Sequence, residues 1–349
     1  MYVPVMKNRT VEVGVLQQLS AIHVFDSNII PLVELIQEKT RSNNKNTFIQ
    51  DLCDILADAP DMQVMVDFYK STKLRNTTDA IREYVTMAVR LPNFSIDELI
   101  PLSLYCDRVI PVVSYLSESI SLDRIRFEAS QLRNTFSRLA FRVKVQDFEH
   151  VFSCVEELIS ANDYLIFDID SASHTSPVLK KIYKRIADSK KIHKFTSIII
   201  NAHRPENLIN KDMPDGEPIA EIDNSLKELY SSSYMNKFDG FGDYACISAA
   251  LPTTGGAISP VGIYYSNDNN YFVSYRGRAP QLSEFPLYIA PRIISSEYWD
   301  EFEEEHHQTC PGCREINAVV MGGKSGRNQA QWKMITMLHY IYTLYEIEA

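Results

Sequence analysis

Seven or eight short apolar runs recur along the chain, and stretches with helical periodicity separate them. The runs are Val3–Met6, Ile29–Val33, Val64–Val66, Val109–Val113, Leu139–Val145, Tyr164–Ile169, Ser197–Ile200 and, less clearly, Phe241–Ser248. Continuous apolar runs are typical of parallel strands that are buried on both faces. The alternation of such strands with helices predicts a (β/α)8 TIM-like barrel over residues 1–248.

The helical stretches have apolar residues at intervals of three or four, as in a helix that packs on a sheet by one stripe. They cover Thr10–Ser20, Thr47–Ala57, Thr78–Val89, Ser95–Tyr105, Ser121–Phe136, Phe148–Ile159 and Pro177–Ser189. Ser95 is the expected N-cap of its helix, because a serine side chain can accept a hydrogen bond from a free backbone N–H.

Residues 249–349 do not continue the alternation. Ile263–Tyr265 and Tyr271–Tyr275 flank a polar loop and predict a β-hairpin. An acidic helix is expected over Glu297–His307, then a CxxC loop, then an apolar terminal helix over Arg327–Tyr345. Because this segment is too small to bury much core alone, we expect it to pack on the barrel as an elaboration that closes the outer helix ring.

Composition narrows the function classes. The 349 residues are 45% hydrophobic and 23% charged, which suits a packed core, and the formal net charge is −10. This charge argues against broad electrostatic binding to nucleic acid or anionic membrane. No apolar stretch approaches the roughly 20 residues that cross a bilayer, and we see no signal peptide. The six cysteines are scattered, so we expect a cytoplasmic protein with free thiols.

Polar residues lie at or just past the ends of the predicted strands, where a barrel of this kind has its site. The catalytic candidates are Lys7, Glu34, Asp67, Asp168, His203 and Asp243, and the cation that faces inward is either Arg142 or the substrate-binding candidate Lys144. Carboxylates beside cations have three uses. They hold a divalent ion such as Mg²⁺ or Mn²⁺, they supply a general acid and base, or they neutralise one another in an ion-pair network.

Asp168 and Asp170 are two positions apart in one predicted strand, so their side chains are expected to face the same side. Two carboxylates on one face repel each other unless a cation lies between them, so this pair indicates a divalent metal site. The alternative is that Asp170 has already left the strand and caps a helix that begins near Ser173.

Arg276 and Arg278 flank a glycine at the end of the predicted hairpin. Two guanidinium groups at this spacing can clamp a phosphate or a carboxylate through paired hydrogen bonds, which makes them candidates for substrate binding. A solvated turn is the alternative interpretation.

An HHxxCxxC motif lies near the C-terminus, and its Cys-x₂-Cys spacing is typical of zinc ligands. His307, Cys310 and Cys313 are the candidate ligands, and His339 is a remote candidate for the fourth position. Without a fourth ligand, the segment is a polar loop with reduced thiols.

Short motifs spread thinly over most of the chain carry a family resemblance. They are Tyr2–Lys7 with Glu12, Ile30–Glu34, Phe241–Tyr244 and Arg276–Gly277. In these motifs the chain resembles the prophage and bacterial "beta protein" family, and its CPGC segment is similar to one in a related group. The resemblance implies a phage-defence or mobile-element setting. It implies no established reaction, so it assigns no catalytic role to any residue.

Three hypotheses follow. The first is a metal-assisted hydrolase that acts on a small phosphate-containing substrate at the barrel mouth. The second is a non-catalytic module that recognises a protein partner through the aromatic hairpin residues Tyr264, Tyr265, Tyr271, Phe272 and Tyr275, since exposed tyrosines favour interfaces. The third, a zinc-stabilised nucleic-acid enzyme, is disfavoured by the negative net charge.

Overall fold

The computed structural model describes residues 1–38, 46–227, 238–252 and 258–348. Its strands are β1 (Tyr2–Lys7), β2 (Leu32–Leu35), β3 (Val64–Phe68), β4 (Val109–Val113), β5 (Ala140–Lys144), β6 (Tyr164–Asp168), β7 (Thr196–Ile200), β8 (Glu217–Pro218), β9 (Gly240–Asp243), β10 (Val261–Ser266) and β11 (Tyr271–Arg276). Strands β1 to β7 and β9 run parallel and close a barrel, in which β9 joins β7 to β1. The predicted (β/α)8 fold class is confirmed.

Helices follow the strands close to their predicted positions. They are α1 (Thr10–Ser20), α2 (Phe48–Asp58), α3 (Asp79–Arg90), α4 (Phe94–Leu99), α5 (Leu122–Arg133), α6 (Phe148–Leu158), α7 (Pro177–His193), α8 (Ala290–Ile294), α9 (Glu297–Asp300), α10 (Glu304–Thr309), α11 (Pro311–Val320) and α12 (Gln329–Glu348). Thr47, Thr78 and Ser121 cap α2, α3 and α5 with side-chain hydrogen bonds. The predicted cap at Ser95 is wrong, because this serine is buried inside α4 and donates to Glu128 at 2.8 Å.

Strand side chains divide into two layers. One apolar cluster joins the strands to the helices, and a second fills the barrel interior with strand residues such as Val5, Leu32, Met65 and Ile166. Residues two apart on a strand point to the same face. At the carboxyl ends of the strands, the residues that continue this inward orientation are polar. The inward polar residues are Lys7, Glu34, Asp67, Arg142 and Asp168.

Glycine explains why the last barrel strand looked weak in the sequence. β9 covers Gly240–Asp243, whereas the prediction extended from Phe241 to Ser248. A Cβ atom on Gly242 would lie 2.4 Å from the carbonyl oxygen of Val3 and 2.8 Å from the side chain of Ile200. The strand can therefore fit between β1 and β7 only without a side chain here, and it lacks an unbroken apolar run.

The C-terminal segment forms a small sheet and a helical layer. The predicted hairpin is present as β10 and β11, and β8 adds a third strand. α12 packs on α1, where Lys333 Nζ bonds to Glu12 at 2.8 Å. The single acidic helix expected over Glu297–His307 is in fact two helices, α9 and α10, and the CxxC motif begins helix α11 instead of lying in a loop. None of the described helices combines the length and apolarity needed to cross a bilayer.

Candidate active site

Arg142 extends from β5 into the barrel and lies at the centre of the mouth. Its Nη1 donates to Glu34 Oε1 at 2.7 Å and to Asp67 Oδ2 at 2.9 Å. Its Nε and Nη2 donate to Asp168 Oδ2 at 2.9 and 2.7 Å, and Nη2 also donates to the Tyr244 hydroxyl at 3.0 Å. A guanidinium has five N–H donors. Arg142 is therefore fully engaged in holding the site together and has no donor left for a substrate.

Glu34 and Asp67 share Arg142, but their pKa values are shifted in opposite directions. Burial would raise the pKa of Glu34, but the charges of Lys7, 3.4 Å away, and of Arg142 outweigh it and hold the pKa below its ordinary value. For Asp67 burial prevails, and its pKa is raised despite Arg142 and a 2.6 Å hydrogen bond from the Ser114 hydroxyl. Since both accept from Nη1, the two accepting oxygens lie within about 6 Å of each other.

Asp168 ends β6, and Asp170 lies just beyond it on the mouth. Asp170 has a φ of +52°, in the left-handed region that aspartate tolerates, and donates its backbone N–H to Asp168 Oδ1 at 2.9 Å. Burial, and then the charge of Asp168, raise the pKa of Asp170. The strand alternation thus stops at Asp168. Asp170 does not cap the next helix, because α7 begins at Pro177.

A cavity of 590 Å³ opens over this cluster, and Glu34, Asp67, Asp168 and Asp170 all line it. Five cationic residues also line the cavity. Besides Arg142 and Lys70, they are Lys73, Arg75 and Lys144, whose side chains form no hydrogen bond or ion pair with any other described residue. The mouth therefore presents the buried carboxylates of Glu34, Asp67 and Asp168 on its floor, with the exposed Asp170 and the available positive charges around them. This arrangement suits a small substrate with an anionic group.

The prediction from sequence missed Lys73 and Arg75, although a signal was present. The run KSTKLR at residues 70–75 begins one residue after β3, beyond the carboxyl end of a barrel strand. Lys70 in the same run has a structural role, since its Nζ donates to Ser114 O at 2.7 Å and to both oxygens of Glu128 at 3.1 and 2.8 Å.

His203 and Asp243 do not line the mouth cavity. Asp243 has the outward orientation of β9, and its carboxylate accepts from two tyrosine hydroxyls of the strand–helix layer, each at 2.8 Å. Its neighbour Tyr244 has the inward orientation and reaches Glu34. His203 Nε2 accepts from the N–H of Cys246 at 2.9 Å, and burial lowers the pKa of the ring. The expectation that both residues lie in the barrel mouth is therefore wrong. Lys7 lies beside Glu34 as expected, but it is buried and does not line the cavity.

Arg276 and Arg278, expected to bind substrate, also lie away from the mouth cavity. The Arg276 guanidinium donates to the carbonyl oxygen of Lys211 at 2.7 Å, and Arg278 pairs with Glu284 at 3.4 Å. Both side chains are exposed, so the solvated alternative describes them better than an anion clamp.

The HHxxCxxC motif is partly as expected. Cys310 and Cys313 lie together with His339, the remote candidate, and with His306. His307 does not belong to this cluster, because its ring stacks on Trp299 with a centroid separation of 4.0 Å. Of the two adjacent histidines, His306 lies with the cysteines, whereas the predicted ligand His307 does not.

Fold and mouth together define a (β/α)8-barrel protein with an acidic floor and a cationic wall at the carboxyl ends of its strands. The chain belongs to the Beta protein family, whose model matches residues 2–345, and the family resemblance is confirmed. No curated protein sequence matches the chain.

Solved structures with a similar chain course include three enzymes. A fungal β-1,4-galactanase is 10% identical, with a TM-score of 0.37 over 65% of this chain and 80% of that chain. A family 18 chitinase from Crocus vernus is 10% identical, with a TM-score of 0.37 over 69% of this chain and 91% of that chain. A β-glucuronidase from Ruminococcus gnavus is 9% identical, with a TM-score of 0.39 over 73% of this chain and 44% of that chain. These similarities carry no information on activity.

Proposed function

We propose that the barrel mouth is the active site of a hydrolase that acts on a small phosphate-containing substrate by general acid–base chemistry. The observation that carries this proposal is the pairing, in one cavity, of carboxylates whose pKa values are shifted in opposite directions. Carboxyl groups that differ in protonation at one pH can serve as acid and base in the same reaction.

The cations on the wall account for substrate binding. Lys73, Arg75 and Lys144 form no ion pair with another described side chain, and a phosphate group needs such donors. Arg142 does not compete for this role, because its donors are all directed at the floor of the site.

Glu34 and Asp170 have complementary roles in the proposed reaction. They belong to β2 and to the end of β6, which stand on opposite sides of the eight-stranded barrel. Glu34 Oε2 lies 3.4 Å from Lys7 Nζ in an ion pair but accepts no hydrogen bond from the described residues, so it can accept one from water. Glu34 takes a proton as this water attacks phosphorus, the bond from phosphorus to the leaving oxygen breaks, and Asp170 protonates that oxygen.

Phosphate release from a panel of phosphate monoesters and diesters tests the proposal. We expect Glu34→Gln and Asp170→Asn to lower kcat about 10²- to 10⁴-fold, the usual contribution of a general acid or base. Asparagine tolerates the left-handed backbone of Asp170 as aspartate does. The control is Asp300→Asn, an exposed residue outside the cavity, which should retain full activity.

Two outcomes would contradict the acid–base mechanism. Wild-type rates in both mouth variants would remove the site altogether. Activity that is abolished by a chelator and restored by Mg²⁺ or Mn²⁺ would assign Asp168 and Asp170 to the metal-binding role expected from the sequence. The phage-defence setting is tested separately, by comparing wild type with Asp170→Asn in a phage challenge.

The alternative of a protein-binding module has lost its motivating feature. Tyr264, Tyr265, Phe272 and Tyr275 are all at most 2% exposed and pack inside the C-terminal region or against the barrel, and Tyr271 is half-buried. These aromatic side chains therefore provide little surface for a partner.

A further inference from the structure

Four buried side chains converge in the C-terminal region, outside the barrel mouth. The possible ligand atoms of His306, Cys310, Cys313 and His339 all lie within 4.8 Å of one another. His339 Nδ1 is 3.7 Å from Cys310 Sγ and 3.6 Å from Cys313 Sγ. Zinc–sulfur bonds of about 2.3 Å and zinc–nitrogen bonds of about 2.0–2.1 Å at tetrahedral angles place sulfur and nitrogen about 3.6 Å apart. The two sulfur–nitrogen distances thus match those expected around one tetrahedral ion.

Both histidines are oriented by a partner on the far side of the ring. His306 Nδ1 lies 2.5 Å from Glu346 Oε2, and His339 Nε2 lies 3.1 Å from the carbonyl oxygen of Tyr265. An acceptor at one nitrogen keeps the proton there and leaves a lone pair on the other, as in many metal sites. His306 Nε2 is buried, and no described residue bonds to it. A metal ion would satisfy this nitrogen.

The local backbone is shaped for close approach of the ligands. Cys310 precedes α11, and Pro311 and Gly312 begin that helix. A Cβ atom on Gly312 would lie 2.7 Å from both the Cβ and the backbone nitrogen of His339. Glycine therefore allows the two cysteines to reach α12, and the hydroxyl of Tyr264 lies 3.6 Å from Cys313 Sγ as an outer partner.

We propose that His306, Cys310, Cys313 and His339 bind one structural zinc ion. Two thiolates and two imidazoles suit zinc in tetrahedral geometry, and four protein ligands leave no open position for a substrate. The ion would tie α10 and α11 to α12, which itself packs on α1 of the barrel. Its role is thus to fasten the C-terminal layer to the barrel.

Elemental analysis of the full chain tests the site. We expect one zinc per chain in the wild type, and loss of most of that zinc in His306→Gln, Cys310→Ser, Cys313→Ser and His339→Asn. The matched controls are His307→Gln, the adjacent histidine outside the cluster, and Cys154→Ser, a buried cysteine elsewhere; both should keep one zinc. Wild-type protein that neither contains zinc nor takes it up, or a His307→Gln variant that loses zinc as fully as His306→Gln, would overturn the proposal.

A second measurement does not depend on the folding of variants. Wild-type protein stripped of metal is titrated with Co²⁺. We expect a one-to-one endpoint with the charge-transfer bands of cobalt–thiolate bonds and the intense visible bands of tetrahedral cobalt. Zinc should displace these bands and protect two thiols from a thiol reagent until a chelator is added. Octahedral cobalt bands, or unprotected thiols in the zinc-loaded protein, would contradict the assignment.

Discussion

Replacing Arg142 with methionine removes the guanidinium while keeping a side chain of similar length. Glu34, Asp67 and Asp168 are at most 6% exposed, so the substitution leaves three buried carboxylates without their shared cation. Removing one partner of a buried ion pair typically destabilises a protein by about 3–5 kcal/mol. We expect Arg142→Met to lower the free energy of unfolding by at least this amount at neutral pH.

The loss of stability in Arg142→Met should depend on pH, and the direction of the pKa shift of Glu34 determines whether the loss grows or shrinks as pH rises. In the wild type this pKa is lowered, so the contribution of Glu34 to stability is present above its unfolded pKa and is lost as pH falls through the folded pKa. Without Arg142, less positive charge opposes the effect of burial, so the pKa values of Glu34 and Asp67 should rise. A carboxyl group whose folded pKa is raised contributes most to stability below its unfolded pKa. That contribution is lost as pH rises through the folded pKa. The difference between wild type and variant should therefore widen from about pH 5 to about pH 8.

Urea unfolding followed by circular dichroism at the two pH values measures this difference. Arg82→Met is the control, because Arg82 and its partner Asp79 are largely exposed, and such pairs contribute up to about 1 kcal/mol. Adding Glu34→Gln to Arg142→Met should restore part of the stability by removing one uncompensated charge. A loss below about 1 kcal/mol that does not change with pH would refute the role of Arg142 as the common cation of the mouth.

Three further predictions concern the frame of the site. Gly242→Ala should destabilise the barrel by at least about 3 kcal/mol in urea unfolding, because its Cβ meets the backbone of β1, whereas Gly323→Ala, which has space, should change stability by less than about 0.5 kcal/mol. Tyr340→Phe should lower stability by about 1.5 kcal/mol in the same assay, since it removes a 2.8 Å hydrogen bond to the buried Asp243 carboxylate. Lys70→Met should lower the melting temperature more than Lys191→Met, because only the first leaves a buried carboxylate unpaired. Equal effects within any of these pairs, or none for Tyr340→Phe, would contradict the corresponding contact.

The barrel could be predicted because its strands and helices have separate periodicities. Buried parallel strands appear as apolar runs and the outer helices as stripes, so the order of elements follows from the pattern. The eighth strand was harder to predict, because Gly240 and Gly242 are required for closure and interrupt the apolar run. The division of the acidic segment into α9 and α10 has no signal in helical periodicity alone.

For the site residues, the sequence predicted which side chains lie near the ends of strands. It did not predict reliably which of these side chains point into the barrel. Lys7, Glu34 and Asp67 share the inward phase of their strands, whereas Asp243 has the outward phase of β9 and was wrongly placed in the mouth. The choice between His306 and His307 depends on where α10 turns towards α12. Adjacent residues on a helix face different directions, and the sequence does not show which direction meets the cysteines.

Titration of ¹³C-labelled aspartate and glutamate carboxyls tests most directly whether the mouth holds carboxyl groups whose pKa values are shifted in opposite directions. The Asp170→Asn, Asp67→Asn and Glu34→Gln variants assign the three signals. We predict that Glu34 titrates below the ordinary range of a glutamate, while Asp67 and Asp170 titrate above that of an aspartate. If Glu34 and Asp170 both titrate at their ordinary values, the proposed division into base and acid is contradicted.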